Sequence, residues 1–280
     1  MKYLLTFIFI FGIVSCTEND EINIEEPMLV VEGSIETGEF PIVYLSTTVP
    51  IKKGYQSTSN VNDYIIKWAK VTINDGENEV ILTGRYDSDK FPPYSYSTTE
   101  MHGETGHTYT LTVEYENYRA SAVTAIPAAI VIDSFKIKES GKGEGSRHIT
   151  AYFKNSDSNK ENFQFFTYST SDRYRSYSAS HMGYVSSVTN DSTVKSDVCR
   201  GKTIYNWETF KSGFNPGDSV MVKICRLDSI SSEYWKRFEE MSILSRNPLF
   251  PATKSLVSNV NGALGHWFGY GSAEYLLVMP

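Results

Sequence analysis

Two segments of this chain alternate with a period of two, and that repeat constrains the fold more than any other feature. They are His107-Thr108-Tyr109-Thr110-Leu111-Thr112-Val113 and Arg119-Ala120-Ser121-Ala122-Val123-Thr124. Successive side chains of a strand leave opposite faces, so each segment reads as a ribbon with one buried and one wet face. Met28-Leu29-Val30-Val31-Glu32-Gly33-Ser34-Ile35 and Pro41-Ile42-Val43-Tyr44-Leu45-Ser46 read as an opening pair turned at Thr37-Gly38-Glu39. Lys70-Val71-Thr72-Ile73 and Glu79-Val80-Ile81-Leu82 flank Asn74-Asp75-Gly76-Glu77-Asn78, a hairpin whose turn tolerates positive φ. Six or so short strands within 28–126 predict a β-sandwich of the immunoglobulin or transthyretin sort. Residues 49–67 are polar and read as an excursion between strands.

Ala125-Ile126-Pro127 ends this unit, and Ile130-Val131-Ile132-Asp133-Ser134-Phe135 begins a new strand. The boundary falls near 127–130, giving a β-sandwich domain over 28–128 and a second β-rich domain over 129–280. Further strands are expected around 148–154, 162–170, 183–189 and 219–227. One amphipathic helix is expected near 231–245, where Tyr234, Trp235, Phe238, Met241 and Leu244 make an apolar stripe at helical spacing. Ser231 suits the N-cap, Ile230 could staple to Trp235, and Asn247-Pro248 stops the helix. The stripe reads as core packing.

The N-terminus carries a different signal. One lysine, an apolar run and then small residues lead to Cys16, the pattern of an export signal too short to span a bilayer. Residues 1–15 are read as a signal peptide. Ile13-Val14-Ser15-Cys16 resembles the bacterial lipobox, in which a lipid is attached to the cysteine, so Cys16 is the expected lipidation site. The plainer reading is an ordinary secretory signal with an incidental cysteine. Residues 16–27 form an acidic tether, solvated and unstructured. Acidic residues after a lipidated cysteine resemble the tag that sends some Gram-negative lipoproteins to the outer face of the outer membrane; the alternative is a tether with no address.

Charge and cysteine usage bound the partners. The net charge is −7 and no basic block exists, which argues against nucleic acid. The 19 tyrosines, with abundant Ser and Thr, suit strands with one wet face. Cys199 and Cys225 remain after Cys16, and in an oxidising compartment their simplest fate is to pair. Such a bridge would stabilise the fold by ~3 kcal/mol. Two free buried thiols or a metal site are the alternatives, and no His-Cys cluster supports a metal.

No segment carries an enzyme's signature. His102-Gly103-Glu104-Thr105-Gly106-His107 offers three potential zinc ligands but sits among turn glycines, without helical spacing. Asn155-Ser156-Asp157-Ser158-Asn159-Lys160-Glu161 begins like a calcium loop, yet Lys160 stands where glycine is required and Phe166 where the bidentate glutamate belongs. Gly141-Lys142-Gly143-Glu144-Gly145 lies between strand patterns, where a phosphate cradle wants a helix N-terminus. No Gly-x-Ser-x-Gly elbow or Cys-His pair stands out. No metal, cofactor or catalytic residue is assigned. The candidate contacts are aromatic: Phe91-Pro92-Pro93-Tyr94-Ser95-Tyr96 and Tyr174-Arg175-Ser176-Tyr177 sit in polar, turn-rich surroundings. There Tyr94, Tyr96, Tyr174 and Tyr177 either stack on a sugar or anchor a partner, or cover the core from loops.

The order of features resembles a known family. The lipobox is followed by Leu29-Val30-Val31-Glu32-Gly33, Val43-Tyr44-Leu45-Ser46, Ala69-Lys70-Val71-Thr72-Ile73, Gly106-His107-Thr108-Tyr109-Thr110-Leu111-Thr112-Val113, Ile126-Pro127 and Ile132-Asp133-Ser134. Near the end stands Ser258-Asn259-Val260-Asn261-Gly262-Ala263-Leu264-Gly265-His266-Trp267-Phe268-Gly269-Tyr270, the most specific piece. Together these resemble the lipoproteins of domain of unknown function 4249, over nearly the whole mature chain. His266 and Trp267 depart from the family's pattern at that segment. The resemblance implies an outer-membrane lipoprotein, often encoded near TonB-dependent transporters, and supplies no catalytic residue. It points to a surface-tethered protein that binds a nutrient ligand or serves such a transporter; a stand-alone glycan-binding adhesin is the alternative, and a surface hydrolase a more remote one. The glycines of 262–271 read as tight turns, with Leu264, Trp267 and Phe268 filling a core or a groove. Trp267 therefore joins the candidate contacts.

Overall fold

The computed structural model describes residues 27–48, 62–140, 145–154, 160–187, 193–202, 210–244 and 255–280. Cys16, the acidic tether, most of the 49–67 excursion, most of the Gly141–Gly145 and Asn155–Glu161 segments and the Asn247-Pro248 stop lie outside them. Mainly β structure in several sheets, with a single helix among the described residues, agrees with the alternation in the sequence.

The expected opening strands are β1 (Leu29–Glu36) and β2 (Ile42–Thr47), antiparallel with Val31 opposite Leu45. The predicted hairpin joins β3 (Lys70–Asn74) to β4 (Glu79–Ile81). Its turn is held by Asp75, whose Oδ1 accepts from the backbone N–H groups of Glu77 and Asn78 at 2.9 and 2.7 Å. Two short strands follow, β5 (Thr83–Tyr86) and β6 (Tyr94–Ser97), the second beginning within the aromatic segment read as turn-rich. The alternating segments are β7 (Thr108–Tyr115) and β8 (Tyr118–Ala125). The second half contains β9 (Ser134–Glu139), β10 (Arg147–Lys154), β11 (Glu161–Ser169), β12 (Ser178–Ser187), β13 (Thr193–Val198) and β14 (Ser219–Arg226). Then come α1 (Ser229–Leu244) and β15 (Leu264–Val278).

The eight-stranded sheet has the order β12-β11-β14-β15-β1-β2-β6-β5. Its middle strand, β15, pairs in parallel with β1 along 264–270 and then antiparallel with β14 along 271–278. Sheet β4-β3-β7-β8 covers one part of one face, and Val31, Ile35, Val43, Ile73, Leu111 and Trp267 share the core between them. Sheet β13-β10-β9 covers another part of that face around Ile149, Phe153, Phe163, Phe165, Val222 and Ile224. Side-chain parity along β14 and β15 places Cys225, Phe268 and Tyr270 on the opposite face, where Tyr234 and Trp235 of α1 pack on them.

Of the glycine-rich segment expected to turn, Gly262 does so with φ +84°, but Gly265, Gly269 and Gly271 lie within β15, the longest strand among the described residues. Gly265 has φ +115°, and a Cβ there would collide with the Val31 carbonyl, so a side chain is excluded both by conformation and by space. Across the ladder, Gly33 leaves room for the indole of Trp267, which is its register partner. Trp267 is 0% exposed and donates from Nε1 to the Tyr109 carbonyl at 3.2 Å. The side of β15 away from β1 has no strand beside Trp267. There the Asn259 amide stands in for one, accepting from Trp267 N at 2.9 Å and donating to Trp267 O at 2.8 Å. Trp267 is thus a core residue and not a contact for a ligand.

The helix starts earlier than expected. Asp228, not Ser231, is its cap: Asp228 Oδ1 accepts from Ser231 N at 2.7 Å. Ile230 is exposed instead of stapled. Ser231 turns inward, and its Oγ lies 3.2 Å from His266 Nε2, while His266 Nδ1 faces the Val257 carbonyl at 3.2 Å. Both residues are fully buried, so this Ser-His pair pins the helix to β15 and is closed to any substrate. Burial holds the His266 imidazole below its ordinary protonation range.

The expected disulfide does not form; Cys199 and Cys225 are free. Cys225 faces α1, whereas the Cys199 carbonyl accepts from Thr167 Oγ1, which alternates with Phe166 and points to the other face. The sheet stands between the two residues. Burial, with Asp197 nearby, pushes the Cys199 thiol up to about 11, and burial pushes Cys225 up as well, so both stay protonated at neutral pH.

Two outcomes follow from this packing. Trp267→Ala removes the largest fully buried side chain and should cost about 3–5 kcal/mol in guanidinium unfolding. For His266, the unfolded chain takes up a proton near pH 6.5 while the folded protein does not, so stability is full above that pH and declines below it. In thermal melts, His266→Gln should lose less stability than the wild type between pH 7 and pH 5.

Candidate ligand-binding cleft

Two loops from opposite ends of the eight-stranded order meet. The β5–β6 loop is closed by Asp87, whose N–H donates to the Pro93 carbonyl at 2.7 Å and whose Oδ1 accepts from Asp89 N at 2.9 Å. The β11–β12 loop is closed reciprocally: Asp172 N donates to Ser169 O at 2.9 Å and Ser169 N donates to Asp172 Oδ2 at 2.7 Å. Arg175 N donates to Asp89 O at 2.9 Å, and the rings of Phe91 and Tyr174 lie 5.9 Å apart. With its two outermost strand pairs joined this way, the sheet curves.

A cleft of about 270 Å³ lies at this junction, lined among others by Phe91, Tyr174, Tyr177, Asp172, Arg173 and Arg200. Its polar wall is held in place. Arg200 donates from Nε to Asp172 Oδ1 at 2.7 Å and from Nη2 to Ser171 Oγ at 3.2 Å. Ser171 Oγ donates to Asp218 Oδ2 at 2.8 Å, and the buried Asp218 also accepts from Ser169 Oγ at 3.0 Å. The Arg173 guanidinium sits 5.4 Å over the Tyr174 ring.

Behind the cleft is a buried ion pair. Lys223 Nζ on β14 donates to both carboxylate oxygens of Glu36 on β1 at 2.8 Å, with Glu274 at 3.9 Å. The ammonium also lies 4.3 Å over the Tyr177 ring, on the α1 side of the sheet. Burial is the largest single influence on Lys223 and works against its charge, yet Glu36, with Glu274 and other neighbours adding to it, holds the protonated form above its ordinary range. Burial, then the Glu274 charge, push the Tyr177 phenol up, so it remains a neutral hydroxyl.

The sequence candidates separate here. Tyr174 and Tyr177 line the cleft, and Phe91 joins them from the other aromatic segment. Tyr96 is 2% exposed, accepts from Ala69 N at 3.1 Å and donates to Ile66 O at 3.1 Å, so it belongs to the core. Tyr94 packs edge-on against Tyr96 at 5.5 Å and donates to Lys67 O at 2.8 Å, which fixes it in the first sandwich. Arg200, Asp172 and Ser171 were missed, because nothing local marks an ion pair that spans a loop and a strand exit. His102, Glu104 and His107 form an exposed turn, with Glu104 at 3.8 and 3.6 Å from the two imidazoles. Among the described residues, no three His, Cys, Asp or Glu side chains converge on a metal position.

Breaking the pair behind the cleft from one side should be costly. Glu36→Gln leaves the buried Lys223 with only the more distant Glu274 as counter-charge and should destabilise by about 3 kcal/mol, with Lys223→Met/Glu36→Leu recovering much of the loss in urea titrations.

No curated protein matches this sequence. The family described as a domain of unknown function (DUF4249) matches residues 16–275. A match over nearly the whole chain, from ahead of β1 into β15, means that the chain belongs to the DUF4249 family.

Proposed function

We propose that this protein is a lipid-anchored binding protein on the outer face of the outer membrane, which holds a saccharide-like ligand in the cleft and serves a TonB-dependent nutrient transporter. The observation that carries the binding role is the meeting of two aromatic loops over a fixed guanidinium-carboxylate wall. Phe91, Tyr174 and Tyr177 offer ring faces and edges to the apolar side of a sugar ring. Arg200, Asp172 and Ser171 offer donors and acceptors for its hydroxyls. Loops on a rigid scaffold are the usual place for such contacts. The lipobox-like Ile13-Val14-Ser15-Cys16 and the acidic residues after it support the anchor and its outward address. The transporter partnership rests on the family likeness. The alternative of a stand-alone glycan-binding adhesin uses the same cleft.

A glycan array probed with the mature chain carrying Cys16→Ala should show a defined subset of bound saccharides. Tyr174→Ala and Arg200→Lys should each weaken that binding roughly tenfold, ~1.4 kcal/mol, the latter because lysine lacks the guanidinium fork. No saccharide bound, or unchanged affinity in both variants, would refute the cleft. In fractionated cells the wild type should sediment with outer membranes and take up labelled palmitate, and Cys16→Ala should do neither. Mild detergent extraction should bring a transporter with it; recovery alone would leave the adhesin reading.

A further inference from the structure

The chain leads back to Cys16 from one end of the first sandwich, and that end holds an indole out in water. Three connections converge there. Residues 65–69 cross from beside β2 to the start of β3, with Ile66 N donating to Leu45 O at 2.9 Å. The turn between β7 and β8 closes with Tyr115 opposite Tyr118, beside Lys70, the register partner of Glu114. Ahead of β1, the Pro27 carbonyl accepts from Tyr118 Oη at 2.9 Å, and the Met28 carbonyl accepts from Thr48 N at 2.9 Å. Those two hydrogen bonds fix where the N-terminal segment leaves the fold.

Trp68 stands on the crossing with 88% of its surface in solvent, the most exposed large apolar side chain among the described residues. Its backbone is held on both sides: the Lys67 carbonyl accepts from Tyr94 Oη at 2.8 Å, and Ala69 N donates to Tyr96 Oη at 3.1 Å. Tryptophan is highly buried on average, so an indole presented to water from a fixed connection marks a contact surface. Met28 and Tyr118 add exposed apolar area at the same end. Lys67, Lys70 and Arg119 are exposed there too, with Glu114 between the last two at 3.9 and 3.7 Å. Charges of both signs around an apolar centre complement a zwitterionic surface.

The tether selects the occupant. From Cys16 to Pro27 the chain spans at most about 40 Å when fully extended. The opposite end of the sandwich lies one β1 length further, roughly 25 Å. Acyl chains at Cys16 therefore give the Trp68 end the shortest path to lipid.

We propose that this end is the face by which the protein docks on the lipid surface that takes up its acyl chains, with the Trp68 indole seated among the headgroups. Indole joins an apolar body to an N–H donor, the combination that favours the boundary between hydrocarbon and water. The lysine and arginine stems lie along that boundary with their charged ends at the phosphates. The inference rests on the reading of Cys16 as lipidated and is independent of the saccharide cleft.

The test supplies the anchor itself. The mature chain with Cys16→Ala and an N-terminal hexahistidine tag is held on phosphatidylcholine vesicles containing nickel-chelating lipid, with or without brominated acyl chains. Its tryptophan emission should shift to the blue on the vesicles and be quenched by the bromine, and Trp68→Phe should abolish both changes. Val131→Trp, placed in the Trp68→Phe background at an exposed site past the far end of β8, should be quenched much less than Trp68. Unchanged Trp68 emission on the vesicles, or equal quenching of an indole at position 131, would overturn the docking face. Failure of palmitate to label Cys16 in cells is a separate result, which strikes the anchor and leaves the vesicle measurement standing.

Discussion

One strand has to satisfy two ladders. β15 pairs with β1 along its first half and with β14 along its second, so it joins strands from the beginning of the chain to strands near its end. Each half needs partners on both sides, and the first half has a strand on only one. Asn259 supplies the missing donor and acceptor. Gly265 lets β15 approach Val31 where a side chain would collide. Trp267 then drives a large apolar surface into the first core; burying such an aromatic is worth roughly 4–6 kcal/mol at ~25 cal/mol per Å². The segment from Asn259 to Trp267 is therefore a structural device, the set of residues that lets one strand bridge two cores.

That bridge places charges as well as apolar groups. With β15 between them, Glu36 on β1 and Lys223 on β14 come within hydrogen-bond distance in a buried position. The desolvation of both ions is offset only while they remain together. Tyr177 lies over the same ammonium, which ties the β11–β12 loop to the sheet beneath it. The loop that carries Tyr174 is thus anchored from below by Lys223, from one side by Asp218 and from the other by Asp89. Pre-organisation of this kind spares a binding site the entropy of ordering its own walls.

In the cleft Arg200 is paired with Asp172, which leaves a fixed polar wall beside ring faces suited to a hydroxyl-rich ligand.

Much of the fold was legible in the order of residues. Alternation marked β7 and β8, the Asn74–Asn78 turn marked the β3–β4 hairpin, and the Tyr234-Trp235 stripe marked α1. These signals are local, because side-chain direction in a strand or helix repeats within a few residues. β15 escaped because its glycines answer to the close approach of other strands and not to its own period. Tyr94 and Tyr96 looked like Tyr174 and Tyr177 for the same reason: whether a ring is covered depends on residues far along the chain. The Cys199–Cys225 pair failed on the same ground, since only the assembled sheet decides that the two cysteines face opposite sides. Sequence alone determined the strands and the helix whose side chains repeat locally, with the faces they bury. Tertiary structure decided which strands pair, which aromatics reach solvent and which charges meet, because those depend on contacts between residues far apart in the chain, as between Glu36 and Lys223.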